Sequence, residues 1–116
     1  MRVKFWVTAS GRAPVALFIR KQSPLAGQRI MKDIDHLEQQ GLELAINPSK
    51  VKSLRGYSKL YELKTYFQGI WYRIIFVVIN GEAWLLEAFK KKGNGTPQRF
   101  IDTALKRHAL IPTAAL

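Results

Sequence analysis

The sequence predicts an α+β fold: a small antiparallel sheet packed against two N-terminal helices, with a helix at the C-terminal end. Three observations predict it. Between Lys59 and Pro97, two turn signals, Gln68-Gly69 and Asn80-Gly81, separate three strand-like runs, and Asn-Gly between β-rich runs is the strongest short-range hairpin signal. Upstream, Ala26, Ile30, Ile34 and Leu37 recur at helical spacing. Downstream, Thr96-Pro97 has the form of a helix start, with a hydroxyl for the N-cap and proline at the first helical position.

The elements follow in order. Val3–Thr8 alternates, with Val3, Phe5 and Val7 on one side, and reads as a short first strand. Ser10-Gly11-Arg12 is a turn. Residues 13–21 read as a helix carrying Val15, Leu17, Phe18 and Ile19. Ser23-Pro24 breaks that pattern and opens a second helix, which runs to Gln40 and is stopped by Gly41. Residues 42–58 are the least regular. There Asn47-Pro48-Ser49 makes a turn, and Lys50, Lys52 and Arg55 follow before Gly56. This charge run is either a solvated loop or the rim of a binding cleft beside the sheet. The last helix carries Phe100, Ile101, Ala104, Leu105 and His108 as its stripe. With no internal repeat, linker or low-complexity tract, residues 1–116 are expected to form a single domain.

Two-residue loops determine which side chains share a face. Phe67 falls opposite Ile70, so Lys64 falls opposite Arg73. Ile79 falls opposite Glu82, so Arg73 falls opposite Ala88 and Trp71 opposite Lys90. One face is then almost wholly apolar, running from Tyr61 and Leu63 to Leu85 and Phe89, with Thr65 and Glu87 as exceptions. The other carries Glu62, Lys64, Tyr66, Trp71, Arg73 and Lys90, with Ile75, Val77, Trp84 and Leu86 further along. Lys64 opposite Arg73 is repulsive. A bound polyanion relieves that repulsion; alternatively Glu62 neutralises Arg73 diagonally and the face is merely solvated. A one-residue slip reverses every assignment beyond it.

Composition narrows the function. The 116 residues are 47% hydrophobic, as in a folded chain, and contain no cysteine, which excludes disulfides and thiolate metal sites and suits a cytoplasmic location. Net charge is +11, from 19 basic and 8 acidic residues. Residues 50–99 hold 10 of the basic and 3 of the acidic ones. Clustered cations and a pI near 10.3 point to a polyanion. Nucleic acid fits better than membrane. The apolar run Ile74–Ile79 is far too short to span a bilayer, and Arg12 interrupts the N-terminal stretch before a signal peptide forms.

Several chemistries are missing from the sequence: metal-ligand spacing, a phosphate-binding loop (Gly93-Asn94-Gly95 lacks the lysine and hydroxyl residue that follow one), and a Gly-x-Ser-x-Gly elbow. No cofactor is expected. His36 reads as a surface residue and His108 as a packing one. What remains is a cation-and-aromatic site. Arg73 suits a bidentate grip on phosphate, Lys64 and Lys90 add point charges, and Tyr66 and Trp71 suit stacking on unpaired bases. Internal cleavage of RNA by its own 2′-hydroxyl requires only stabilisation of the charged phosphorane and two proton transfers. A lysine crowded by cations has a lowered pKa and suits one of those transfers. Lys90, Lys91 and Lys92 are such a run, with Lys90 and Lys92 on one side of a strand.

The ordered set Lys52-x-Leu54-x-Gly56, Leu60-Tyr-Glu-Leu-Lys64, Tyr72-Arg-Ile74 and Leu85-Leu-Glu-Ala-Phe-Lys-Lys-Lys92 resembles the RelE/ParE toxin superfamily, and within it the phage-derived HigB-like branch. Thr96-Pro97, Ala104 and Arg107 fit the same branch. The resemblance covers nearly the whole chain. It implies a β-α-α-β-β-β-α order and a toxin of a type II toxin–antitoxin pair. It further implies an mRNA endonuclease that works on the ribosome, and a separate antitoxin, often a helix-turn-helix protein. The family's strand arginines fall on Lys64 and Arg73, and its basic run on Lys90, Lys91 and Lys92. Catalytic roles are thus expected for Lys64, Arg73, Lys90 and Lys92, with RNA contacts from Lys50, Lys52, Arg55, Tyr66, Trp71 and Lys91. Two departures stand out: the branch usually has Arg at Lys64 and often His at Glu87, a position the register assigns to the core face. Two other functions remain open, a toxin of the same fold acting on DNA gyrase and a non-catalytic nucleic-acid-binding phage protein. On this reading Arg73→Ala removes activity and leaves the fold intact.

Overall fold

The computed structural model describes residues 1–112, apart from the side chains of residues 44–46. The last four residues of the expected domain lie outside the described residues. Five strands form one sheet, with the order β1-β5-β4-β3-β2. The strands are β1 (Arg2–Phe5), β2 (Val51–Ser53), β3 (Leu60–Phe67), β4 (Ile70–Ile79) and β5 (Glu82–Lys91). The helices are α1 (Pro14–Arg20), α2 (Pro24–Gln40) and α3 (Gln98–Ala109). The fold is the expected α+β arrangement, with two additions. β2 forms within the stretch that reads as irregular, pairing Val51 with Leu63 and Ser53 with Tyr61. β1 joins the sheet parallel to β5, on the edge away from β2.

Local signals explain most boundaries. The Ser23 Oγ accepts the Ala26 amide at 3.3 Å and Pro24 opens α2, so the first turn has its cap. Gly41 ends α2 at φ 60°, its amide bonded to the Leu37 carbonyl. Both hairpin loops have two residues with positive φ, Gln68 and Gly69 at 51° and 81° and Asn80 and Gly81 at 51° and 75°. That is the type I′ geometry matching strand twist. Thr96 does not cap α3. Pro97 is the N-cap residue, and the Thr96 hydroxyl is donated to Glu62 instead.

The sheet is covered on both faces. On one, α1 and α2 bury Val15, Ile19, Ala26, Ile30, Ile34 and Leu37 against Leu63, Ile74, Phe76 and Leu85. On the other, α3 packs Ile101 and Ala104 over Leu60, Ile75, Val77, Leu86 and Phe89. The α3 contact includes Phe100 stacked on Phe89, with ring centroids 4.2 Å apart.

The register departs from expectation at one point. Phe67↔Ile70, Lys64↔Arg73 and Ile79↔Glu82 pair as the two-residue loops require. Phe76 pairs with Leu85, but Ile75 pairs with Glu87, so Leu86 is an extra residue, a β-bulge in β5. Beyond it the assignments shift by one. Arg73 faces Phe89 rather than Ala88, Trp71 faces Lys91 rather than Lys90, and Lys90 pairs with Tyr72 on the α1–α2 side. Glu87 leaves the core face for the α3 side. Arg107 of α3 anchors the bulge, donating Nη1 to the Leu86 carbonyl at 2.7 Å and lying 3.3 Å from Glu87 Oε1.

Phe76 is fully buried and stacks on Tyr61 at 5.4 Å. Phe76→Ala is expected to lower the unfolding free energy by about 3–5 kcal/mol; urea denaturation measures this, and a loss below about 1 kcal/mol contradicts the packing described.

Candidate functional site

The register stacks three rows of side chains across the α3-side face. The first is Tyr66–Trp71–Lys91, the second Lys64–Arg73–Phe89, and the third Lys52–Glu62–Ile75–Glu87. Apolar Ile75 and Phe89 carry α3. Toward the β3–β4 hairpin the face emerges from under that helix, and there the cations and aromatics collect.

Arg73 sits at the centre and is only 2% exposed. Its Nη1 donates to Glu62 Oε1 at 2.7 Å and its Nη2 to the Gly93 carbonyl at 3.0 Å. Glu62 is fully buried, and its other oxygen accepts the Thr96 hydroxyl. Arg73 Nε is buried without a partner. The diagonal neutralisation by Glu62 is therefore present, and it ties β3 and β4 to the loop leading into α3. Two of the Arg73 nitrogens are committed inside the protein, so the guanidinium does not present an open fork to solvent.

The reachable charges surround this pair. Lys64, half-buried, has its Nζ 5.6 Å from the Trp71 ring, while the Arg73 guanidinium lies 5.8 Å from the same ring. Trp71 thus offers its π face to both cations, easing the like-charge contact across the strands. Tyr66 is 52% exposed and tilted against Trp71, with centroids 4.9 Å apart. The Lys91 Nζ donates to the Asn94 carbonyl at 2.9 Å. Partial burial holds the Lys64 ammonium below the ordinary lysine value. The Lys52 and Arg73 charges add to that depression, and Glu62 opposes it.

Of the residues singled out from the sequence, Lys52, Lys64, Tyr66, Trp71, Arg73 and Lys91 share these rows. Lys90 lies on the opposite face and is exposed, and Lys92 lies one residue past β5. Lys50 turns its amine to Asp33 of α2, at 3.3 Å. Arg55 is exposed in the turn after β2. The sequence reads Thr96 as a helix cap and Phe89 as core-facing, and gives Gly93 no role; their places here follow from the bulge and from the path of the loop into α3. Among the described residues, no three His, Cys, Asp or Glu side chains gather as metal ligands, and no helix is long and apolar enough to cross a membrane.

Residues 17–109 match the family model described as phage derived protein Gp49-like (DUF891). No curated protein matches the chain. The match spans most of the sequence, and the chain belongs to this family, a toxin–antitoxin-associated, RelE-like one. Membership implies an antitoxin as partner.

Burial revises what Arg73→Ala is expected to do to the fold. It leaves the buried Glu62 carboxyl without its charged partner, a loss of about 3–5 kcal/mol. Replacing both, as Glu62→Leu with Arg73→Met, is expected to recover most of that loss. A single variant as stable as the wild type in urea contradicts the buried pair.

Proposed function

We propose that this Gp49-like protein is the toxin of a type II toxin–antitoxin pair, akin to the HigB-like branch, and that it cleaves mRNA on the ribosome without a metal. The observation that carries the reading is Lys64. It stands opposite Arg73, its pKa is depressed by burial and by neighbouring cations, and it lies against Trp71 beside exposed Tyr66. A lysine in that state binds phosphate when protonated and serves as a base when neutral.

In the proposed reaction, unpaired bases stack on Tyr66 and Trp71, bringing one phosphodiester over Lys64. The neutral Lys64 amine takes the proton of the 2′-hydroxyl. The 2′-oxygen then bonds to phosphorus, and the bond from phosphorus to the 5′-oxygen breaks. The Lys91 ammonium gives its proton to that leaving oxygen. The products are a 2′,3′-cyclic phosphate and a 5′-hydroxyl end, and the proton count balances. Lys52 and protonated neighbours stabilise the charge on the phosphorane. Arg73 acts from beneath, lowering the Lys64 pKa rather than gripping the phosphate. The antitoxin, proposed to be a helix-turn-helix protein, would block this face.

A cation whose folded pKa lies below its unfolded value binds fewer protons folded than unfolded between the two. Stability therefore rises with pH across that interval, which ends at the ordinary lysine value of 10.5. Cleavage by isolated toxin–ribosome complexes is expected to rise with pH as Lys64 loses its proton. Lys64→Arg keeps the charge but holds its proton at every accessible pH. That variant is expected to bind RNA and to lose the alkaline rise; a retained rise assigns the base elsewhere.

The decisive experiment induces the protein in a bacterial host and maps mRNA 5′ ends, beside Lys64→Ala. New ends within translated codons are expected, lost in the variant and when ribosomes are stalled before elongation. Growth arrest without new ends would instead point to a gyrase-type target, and neither effect to a purely binding protein.

A further inference from the structure

A separate recess opens beside Tyr66, where α2 passes the hairpin end of β3. Its volume is about 150 Å³, and Arg29, Lys32, Lys50 and His36 line it. Asp33 and Thr65, both buried, complete it, and Tyr66 forms its edge. Thr65 is a polar residue on the apolar face of the sheet, and Asp33 interrupts the buried stripe of α2. The two explain each other, because the Thr65 hydroxyl donates to Asp33 Oδ2 at 2.6 Å. Lys50 donates to the other oxygen at 3.3 Å.

This pairing accounts for Asp33 and for one cation, but not for the rest. Arg29 and Lys32 are exposed, on consecutive turns of α2, and make no ion pair among the described residues. The Arg29 guanidinium is held over the Phe67 ring at 5.4 Å. His36 Nδ1 is 3.9 Å from Asp33 Oδ1, beyond hydrogen-bonding distance. The recess therefore has a net positive mouth over a polar, fully hydrogen-bonded base. It has room for about five waters, which suits one phosphate group and its retained solvent. Tyr66 is common to this recess and to the Tyr66–Trp71 step.

We propose that the recess is a phosphate subsite holding the backbone of single-stranded RNA as it leaves the Tyr66–Trp71 step. The inference rests on the RNA-cleaving reading above and extends its track from the sheet face to the flank of α2. Arg29 and Lys32 supply the charge that takes the phosphate, and the Asp33–Thr65–Lys50 bonds keep α2 and β3 at the spacing that shapes the recess. Asp33, its oxygens occupied and its side chain buried, does not repel the anion as an open carboxylate would.

The test uses the full chain and a fluorescent single-stranded RNA with 2′-O-methyl groups, which it binds without cleaving. Kd is measured against salt concentration for the wild type, Arg29→Ala/Lys32→Ala, Lys64→Ala, and Arg12→Ala/Lys106→Ala as a charge-matched control at exposed positions elsewhere. Arg29→Ala/Lys32→Ala is expected to weaken binding several-fold and to flatten the plot of log affinity against log salt by about 0.7 for the phosphate lost. The Arg12→Ala/Lys106→Ala control should keep the wild-type slope. If Arg29→Ala/Lys32→Ala binds as the wild type does while Lys64→Ala binds weakly, the subsite is overturned and the cleavage reading stands. An equal loss in the control overturns it too, since the effect is then net charge alone. A wild type that binds no RNA overturns the subsite as well, while the cleavage reading is decided by the mapping of mRNA 5′ ends.

Discussion

One extra residue in β5 decides how the rest of this molecule is arranged. Between the Asn80-Gly81 turn and Leu85, β4 and β5 pair as a two-residue loop dictates; at Leu86 the ladder gains a residue and every later side chain changes face. Phe89 is thereby presented to α3, where it stacks on Phe100, and Lys91 comes into line with Trp71 and Tyr66. A bulge leaves backbone groups without strand partners, and buried groups of that kind need substitutes. Arg107 supplies one by donating to the Leu86 carbonyl, and its position near Glu87 fastens the helix to the same spot. The bulge and the docking of α3 thus stabilise each other.

The second constraint is the buried ion pair. Arg73 and Glu62 are almost completely removed from water, and desolvation on that scale offsets much of their mutual attraction. Their value is geometric. Through the Gly93 carbonyl and the Thr96 hydroxyl they join two central strands to the loop that starts α3. The Lys64 pKa is depressed first by burial, then by the Lys52 and Arg73 charges, with Glu62 of the pair opposing them, while the arginine itself is kept out of solvent. The accessible chemistry of the face passes to lysines and aromatics, and a lysine is the residue type whose protonation such surroundings tune.

Family membership and site geometry speak to different parts of the function. The Gp49-like match ties the chain to toxin–antitoxin biology and to a RelE-like fold. The three rows of side chains supply the chemical content: a depressed lysine, a second lysine on the far strand and a stacking step between them. The presence of lysine rather than arginine at position 64 fits this division. With Arg73 buried, a lysine at the neighbouring position gives the face a group that exchanges protons, which an arginine does not.

Local signals in the sequence specify the element types apart from β2, both hairpin turns, the apolar stripes of the helices and the pairing of Lys64 with Arg73. These depend on local physics: backbone conformations open to Gly and Asn, a serine cap before a proline, and periodicities of 3.6 and 2. It also carried the cation-and-aromatic character of the site through Lys64, Tyr66, Trp71 and Arg73. Tertiary structure decided what local signals do not encode. Leu86 carries no mark that it will bulge, since Leu-Leu-Glu reads as ordinary strand, and the choice is made by what α3 needs beneath it. For that reason Lys90 and Lys91 exchanged faces and Glu87 moved to the α3 side. Arg73 reads as exposed because its face alternates with an apolar one. It is buried where its guanidinium meets Glu62, the Trp71 ring and the Gly93 carbonyl of the loop into α3, a contact between segments that no window of sequence contains. β2 is too short for periodicity to reveal and exists because β3 offers it an edge. Side-chain type and turn chemistry are written residue by residue, whereas burial and register past a bulge depend on which distant surfaces meet.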